Sequence, residues 1–179
     1  MSVIKRAYFS GGCFWCTEAI YARLNGVLSV KPGYSGGNIK NPSYKEVCTG
    51  RTGHAETVEV IYDSKQIDYK FLLEVFFNTH DPTTLNRQGN DIGTHYRSIV
   101  FYSNPQEREF IEDYINYLNN HYYNDKIVTE VLKFDIFYLA EDYHENYYEQ
   151  NKNQPYCELV ITPKVKKFEK DFKNKLSFD

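Results

Sequence analysis

Two thiols and two large aromatic side chains stand together in the segment GGCFWC at residues 11–16. Residues 3–9 before it have a strand pattern, and residues 17–24 after it place apolar side chains at helical spacing. Cys13 is therefore predicted to lie at the start of a helix, where unpaired backbone N–H groups and the helix dipole stabilise a thiolate. Such a position lowers a cysteine pKa from about 8.5 into the range of about 3.5 to 7.5. The segment thus predicts a nucleophilic thiolate near neutral pH.

Phe14 and Trp15 follow the thiol directly. Either ring alone is typical of core packing under the turn. Two rings beside a cysteine favour another interpretation, in which they wall a small apolar pocket that holds a methyl group close to the sulfur. Both residues are therefore candidates for substrate binding.

The chain resembles the methionine sulfoxide reductase A family along most of its length. The segment GCFWC is similar to the family's active-site signature, and other blocks follow in the family's order: GYSGG (33–37), NPSY (41–44), VCTG (47–50), TGHAE (52–56), HDPT (80–83), RQGNDIGTHYRS (87–98) and AEDYH (140–144). The resemblance covers about residues 7–160. It implies an oxidoreductase that reduces methionine-S-sulfoxide, free or in proteins, to methionine.

The length and net charge of the chain indicate its domain number and the broad class of protein. A chain of 179 residues predicts one domain over residues 1–179, with a catalytic core at about 7–160 and a C-terminal helix at about 164–176. The net charge is −3, so charge gives no indication of a nucleic-acid or membrane partner. The start lacks the apolar segment of a signal peptide, and no apolar run reaches the length of a membrane span. We expect a cytoplasmic monomer whose four cysteines have redox rather than structural duties.

The rest of the chain alternates between strand and helix patterns. Strands are predicted at residues 56–63, 98–102 and 127–132, and helices after Asp68, after Asn104 and across the tail. Asp68 and Asn104 are of the residue types that cap helices, and Pro105 fits a first helical position. Residues 81–97 form a polar loop long enough that we expect it to have a function. These elements favour an α+β two-layer sandwich, and the resemblance implies a ferredoxin-like core of mixed sheet plus helices with an irregular C-terminal segment.

Reduction of a sulfoxide by a thiolate needs an acid, because the sulfur is electrophilic only when its oxygen is protonated or strongly hydrogen-bonded. The resemblance assigns the acid role to Glu56, and an apolar pocket would raise the pKa of its carboxyl group. The alternative is a solvent-exposed strand glutamate. The resemblance also implies that Tyr44 and Tyr96 donate hydrogen bonds to the sulfoxide oxygen and that Asp91 helps to bind and orient the substrate.

After oxygen transfer Cys13 would be a sulfenic acid, which condenses with a second thiol to form a disulfide. Cys157 resembles the family's C-terminal resolving cysteine, whereas Cys16 has the CxxC spacing of dithiol redox motifs, so the order of exchange stays open. Cys48 resembles a non-catalytic family cysteine, and the histidines are expected to be structural. The resemblance implies thioredoxin as the external reductant. The sequence has no metal, flavin or nucleotide motif, so no bound cofactor is predicted.

Two proteins of other classes would also fit the cysteines. A thioredoxin-like disulfide oxidoreductase also has a CxxC motif after a strand, and it would use Cys16 as the obligatory partner of Cys13. A structural zinc module would take Cys13, Cys16, Cys48 and Cys157 as ligands, although a second CxxC motif is lacking.

Overall fold

The computed structural model describes residues 1–177, so the last two residues of the predicted domain lie outside the described part of the chain. The strands are β1 (Ile4–Gly11), β2 (Val27–Ser35), β3 (Ala55–Asp63), β4 (Arg87–Gln88), β5 (Asp91–Ile92), β6 (Ser98–Tyr102), β7 (Glu130–Lys133) and β8 (Tyr138–Leu139). The α-helices are α1 (Phe14–Tyr21), α2 (Tyr44–Cys48), α3 (Tyr69–Thr79), α4 (Pro105–Leu118), α5 (Tyr147–Gln150) and α6 (Thr162–Asp171). Short 3-10 or π-helical turns occur at Thr94–Tyr96, Asn119–Tyr123, Asp142–His144, Cys157–Ile161 and Lys173–Lys175.

Six strands form one mixed sheet in the order β7-β6-β1-β3-β2-β8. All neighbours in it are antiparallel except β6 and β7, which are parallel. Within this sheet, β1-α1-β2-β3-α3-β6 follow each other as a split βαβ arrangement with the strand order β6-β1-β3-β2. The predicted α+β class with a ferredoxin-like core is therefore confirmed.

The core forms between the sheet and its helices. Apolar residues alternate along β3, where Val58 and Val60 are buried, and α3 packs an apolar stripe against the sheet. Phe9 of β1 stacks on Tyr21 of α1 and on Phe76 of α3, with 5.2 Å between ring centroids in both pairs. These contacts fix the ends of β1 and α1, and the turn between them carries Cys13.

The predicted helix starts are confirmed. The side chain of Asp68 accepts a hydrogen bond from the Phe71 amide at 2.8 Å, and Asn104 accepts one from the Glu107 amide at 2.8 Å. These caps satisfy amides that the first turn of a helix leaves unpaired. Within residues 1–177, no helix is both long and apolar enough to cross a membrane.

Other predicted boundaries are wrong. The tail helix begins at Thr162 and ends at Asp171, because the chain then turns to pair Leu176 with Leu24. The last predicted strand begins at Glu130 rather than at residue 127. The loop at 81–97 contains the β4–β5 hairpin and a 3-10 turn. The C-terminal segment before the predicted tail helix contains the short helix α5.

Candidate active site

Cys13 lies at the turn between β1 and α1, as predicted from its sequence position. It is the N-cap of α1, and its carbonyl accepts a hydrogen bond from the Cys16 amide at 3.1 Å. The preceding residue, Gly12, has a φ of 91°, and a Cβ there would lie 2.7 Å from the Gln88 side chain. Gln88 in turn bonds both the amide and the carbonyl of Asp81. A glycine is therefore required beside the thiol, and the long polar loop packs directly on the nucleophile's turn.

The predicted lowering of the Cys13 pKa is wrong for this state of the protein. Cys13 is 7% exposed, and burial raises the pKa of its thiol well above the ordinary value, with a further contribution from its hydrogen bond to Cys16. The Trp15 amide does lower the pKa, as expected at a helix start, but burial outweighs it. The pKa of the Cys16 thiol is lowered because Cys13 donates a hydrogen bond to it. The hydrogen bond between the two side chains therefore favours the thiol on Cys13 and the thiolate on Cys16.

Glu56 lies near the start of β3 and is 1% exposed, so the alternative of a solvent-exposed glutamate is wrong. One of its oxygens, Oε1, accepts a hydrogen bond from the Phe14 amide at 3.1 Å. Burial raises the pKa of the carboxyl group to about 8, and the charges of Asp91 and Cys16 act in the same direction. Glu56 therefore holds a proton at neutral pH and is hydrogen-bonded to the residue that follows the nucleophile.

The charge of Glu56 acts on the phenol groups of both Tyr44 and Tyr96. Burial and the charge of Glu56, in that order, raise the pKa of both phenols, so both hydroxyl groups are protonated donors at neutral pH. Tyr44 begins α2, where Ser43 and Glu46 form a capping box. Tyr96 ends the 3-10 turn after β5. Two donors and an acid from three separate elements are thus brought together near Cys13.

The two aromatic residues after Cys13 differ in their surroundings. Phe14 is 1% exposed and packs against the rings of Tyr44 and His144. Trp15 is partly exposed and stacks on Tyr147, with 3.7 Å between ring centroids. Trp15 therefore presents aromatic surface to solvent beside the thiol, whereas Phe14 is packed in the interior against the site residues.

Two residues outside the predicted site hold this arrangement, of which His144 was expected to be structural. Glu141 accepts hydrogen bonds from the Tyr44 amide and from the Tyr34 hydroxyl, both at 2.9 Å. His144 accepts one from the Trp15 indole at 3.0 Å and lies 4.4 Å from the Tyr44 ring centroid. Both belong to the AEDYH block, so the signal was present, although no role was predicted for Glu141.

The C-terminal segment carries Cys157 to the reactive thiols. Cys157 is fully buried in one apolar cluster with Cys13 and Cys16. The neighbouring Tyr156 donates a hydrogen bond to Asp91 at 2.5 Å, which ties this segment to the polar loop. Both predicted resolving cysteines therefore lie beside Cys13, and Asp91 contacts the segment that carries one of them.

Cys48 lies apart from that apolar cluster. Its sulfur is close to Glu56 and His95, and their ligand atoms lie within 4.8 Å of one another. Of the groups formed by residues 1–177, this is the set of three that could hold a metal ion, so the four-cysteine zinc module is wrong.

Comparison with known proteins decides the family. A family model described as peptide methionine sulfoxide reductase matches residues 5–176. The chain belongs to this family. A relative named peptide methionine sulfoxide reductase MsrA, from Saccharolobus solfataricus, is 56% identical over 170 residues, which are 95% of this chain and 96% of that protein. The chain is accordingly a methionine sulfoxide reductase, an oxidoreductase, and the thioredoxin-like alternative is wrong.

Solved structures are similar in fold. Methionine sulfoxide reductase A of Corynebacterium diphtheriae has a TM-score of 0.74 at 37% identity, covering 83% of this chain and 75% of that one. The reduced form of Mxr1 from Saccharomyces cerevisiae has a TM-score of 0.79 at 34% identity, covering 86% and 89%. Mxr1 in complex with Trx2 has a TM-score of 0.56 at 23% identity, covering 80% and 84%, which is a likeness of fold alone.

Proposed function

We propose that this methionine sulfoxide reductase acts on the S epimer at sulfur, free or in proteins, with Cys13 as the nucleophile and Glu56 as the acid. One observation carries the proposal. A buried carboxyl group with a pKa of about 8 accepts a hydrogen bond from the amide of Phe14, the residue that follows Cys13. A protonated acid is thereby held beside a thiol, which is the pairing that sulfoxide reduction requires.

The side chains around Glu56 position the substrate and donate hydrogen bonds to it. The sulfoxide oxygen receives hydrogen bonds from Tyr44 and Tyr96 and a proton from Glu56, while the sulfur faces Cys13. Trp15 contacts the methyl group of the substrate, with Phe14 at the floor of the pocket, and Asp91 orients the polar side. The oxygen is transferred to the Cys13 sulfur, so the substrate is reduced by two electrons to the thioether and Cys13 is oxidised to a sulfenic acid. The thiol proton that is lost replaces the proton given by Glu56.

Cys16 is proposed as the first resolving cysteine. Its side chain is hydrogen-bonded to that of Cys13, so its sulfur already contacts the residue it must attack, whereas burial raises the pKa of Cys157. A thiolate is the nucleophile in disulfide formation, so Cys16 attacks the sulfenic acid and releases water. Cys157 then exchanges with the new disulfide and passes it towards the surface, where thioredoxin reduces it. No bound cofactor enters this cycle, and we propose that the enzyme works as a cytoplasmic monomer.

A single-turnover experiment tests the proposal. Reduced protein freed of thiol reagents is mixed with an N-blocked methionine-S-sulfoxide, and methionine product is quantified. The wild type and the control variant Cys48→Ser should form about one to two equivalents of product, because exchange with Cys157 frees Cys13 for a second attack, and Cys13→Ser should form none. Substantial product from Cys13→Ser, which keeps a side chain of similar size, would refute the nucleophile assignment.

A further inference from the structure

Three side chains able to bind a metal meet beside the proposed acid. Cys48 ends α2, Glu56 lies near the start of β3, and His95 belongs to the 3-10 turn at Thr94–Tyr96. A sulfur, a carboxylate oxygen and an imidazole nitrogen from these residues lie within 4.8 Å of one another. They come from three separate elements, so this proximity is a property of the fold and not of local sequence.

Two atoms of this group are buried without a partner. Within residues 1–177, neither Glu56 Oε2 nor His95 Nδ1 has a hydrogen-bond partner. The residues are 1% and 6% exposed. An unpaired buried polar atom is costly, and native proteins pair such atoms with protein, water or a ligand. Two of the three residues therefore carry a buried polar atom that is available to a bound species.

The three side chains are held at different degrees of rigidity. The imidazole of His95 rests on Gly93, where a Cβ would come within 2.6 Å of the ring, and it lies 4.0 Å from the Tyr96 ring centroid. Glu56 is fixed by the Phe14 amide. Cys48 lies at the exposed end of α2. Two ligands are thus preorganised, and the third can adjust and gives access from solvent.

We propose that Cys48, Glu56 and His95 form a zinc site that inhibits the enzyme. Thiolate, imidazole and carboxylate are the ligands that Zn²⁺ prefers, whereas Mg²⁺ and Ca²⁺ prefer oxygen alone. Zinc bonds of about 2.0–2.3 Å in a tetrahedron place ligand atoms about 3.5 Å apart. The ligand atoms, now within 4.8 Å of one another, must therefore draw closer together when the ion binds, and water fills the fourth position.

The inhibition follows from the identity of one ligand and rests on the proposed function of Glu56. A carboxylate bound to Zn²⁺ has given up its proton and has none to transfer to a sulfoxide oxygen. The ion also occupies space near Tyr44 and Tyr96, the proposed donors to that oxygen. Zinc and sulfoxide should therefore compete for the same pocket, and the ion is an inhibitor rather than a cofactor.

Direct binding is tested without any reaction. In a variant carrying Cys13→Ser, Cys16→Ser and Cys157→Ser, Cys48 is the remaining thiol, so a thiolate-to-Co²⁺ charge-transfer band reports binding at Cys48. One equivalent of Co²⁺ should give the band, and added Zn²⁺ should abolish it by displacement. Adding His95→Gln should weaken Co²⁺ binding at least tenfold, and Mg²⁺ should not compete. No band, or a band of equal affinity with His95→Gln, would overturn the site, provided that thermal melting shows the variant folded.

Inhibition is tested in protein that retains Cys13, Cys16 and Cys157. In single turnovers without thiol reagents, Cys48→Ser and His95→Gln should each raise the half-inhibiting Zn²⁺ concentration at least tenfold over wild type. Unchanged inhibition in both variants would mean that Zn²⁺ acts on the Cys13 cluster, and the proposal would be rejected. If the wild type reduced no sulfoxide, the proposed function would fail, while the Co²⁺ band would still decide the site.

Discussion

At the scale of single residues, burial controls the protonation of the proposed catalytic groups. The same desolvation raises the pKa of Cys13 and of Glu56, because it disfavours both the thiolate and the carboxylate. A raised pKa suits an acid but opposes a nucleophile. We infer that both groups keep their protons until the substrate is bound, which protects the thiol from unproductive oxidation.

Glu56→Gln should retain the side-chain shape and lose the transferable proton. The rate of the sulfoxide step should fall about 10²- to 10⁴-fold. In the wild type the rate should decline as pH rises through about 8, where Glu56 ionises, and this decline should be absent in the variant. Rapid-quench measurements of methionine formation across pH provide the test. Glu59→Gln, a change farther along β3, serves as the control, and an unchanged rate in Glu56→Gln would exclude the acid role.

The order of the resolving thiols is also a residue-level question. Peptide mapping after one turnover should find the first disulfide between Cys13 and Cys16, because these thiols are already hydrogen-bonded. Cys16→Ser should slow the loss of the sulfenic acid on Cys13. This loss is measured by trapping the sulfenic acid with dimedone at successive times. Cys157→Ser should form the first disulfide normally and cycle poorly with thioredoxin. A wild-type protein whose earliest disulfide joins Cys13 to Cys157 would reverse the assignment.

At the scale of elements, α1 positions the nucleophile and also anchors the chain that covers it. Glu18 of α1 is buried and accepts a hydrogen bond from the Asn146 amide at 3.0 Å. The next residue, Tyr147, begins α5 and stacks on Trp15. The position of the exposed aromatic surface therefore depends on a contact between residues 128 positions apart.

Glu18→Gln tests this anchor through the pH dependence of stability. Burial raises the pKa of Glu18 from 4.5 to about 7, so the folded state binds this proton more tightly than the unfolded state does. Its stabilising contribution is complete below about pH 4.5 and is lost as pH rises to about 7. Urea unfolding should therefore show the variant gaining about 2–3 kcal/mol relative to wild type between these pH values. The exposed change Glu74→Gln should show no such trend, and a pH-independent difference for Glu18→Gln would contradict the assigned burial.

Elements with local signals were predictable, and elements that depend on distant partners were not. Asp68 and Asn104 cap their helices by contacts within three residues, so their sequence patterns suffice. The short strand β8 exists because it pairs with β2, more than a hundred residues earlier, and no local pattern marks it. The end of α6 was misplaced for the same reason, since Leu176 pairs with Leu24.

At the scale of the whole molecule, the family resemblance predicted the site residues, and the fold shows the contacts that connect them. Motif matching predicted Cys13, Glu56, Tyr44 and Tyr96 as site residues without any knowledge of their distances. It did not reveal that the C-terminal segment buries Cys13, so the direction of the thiol pKa was predicted wrongly. Contacts such as that of Tyr156 with Asp91 join residues far apart in the chain, and only the assembled fold shows them.

The stereochemistry of the reaction is the most direct test of the proposed active site. The acid, both hydrogen-bond donors and the methyl pocket must all be placed correctly around one sulfur for a single epimer to react. Purified protein and dithiothreitol are incubated with each separated epimer of an N-blocked methionine sulfoxide, and methionine is quantified by chromatography. We expect that the S epimer alone is reduced and that Cys13→Ser reduces neither. Equal reduction of both epimers, reduction of the R epimer alone, or no reduction of either would contradict this expectation.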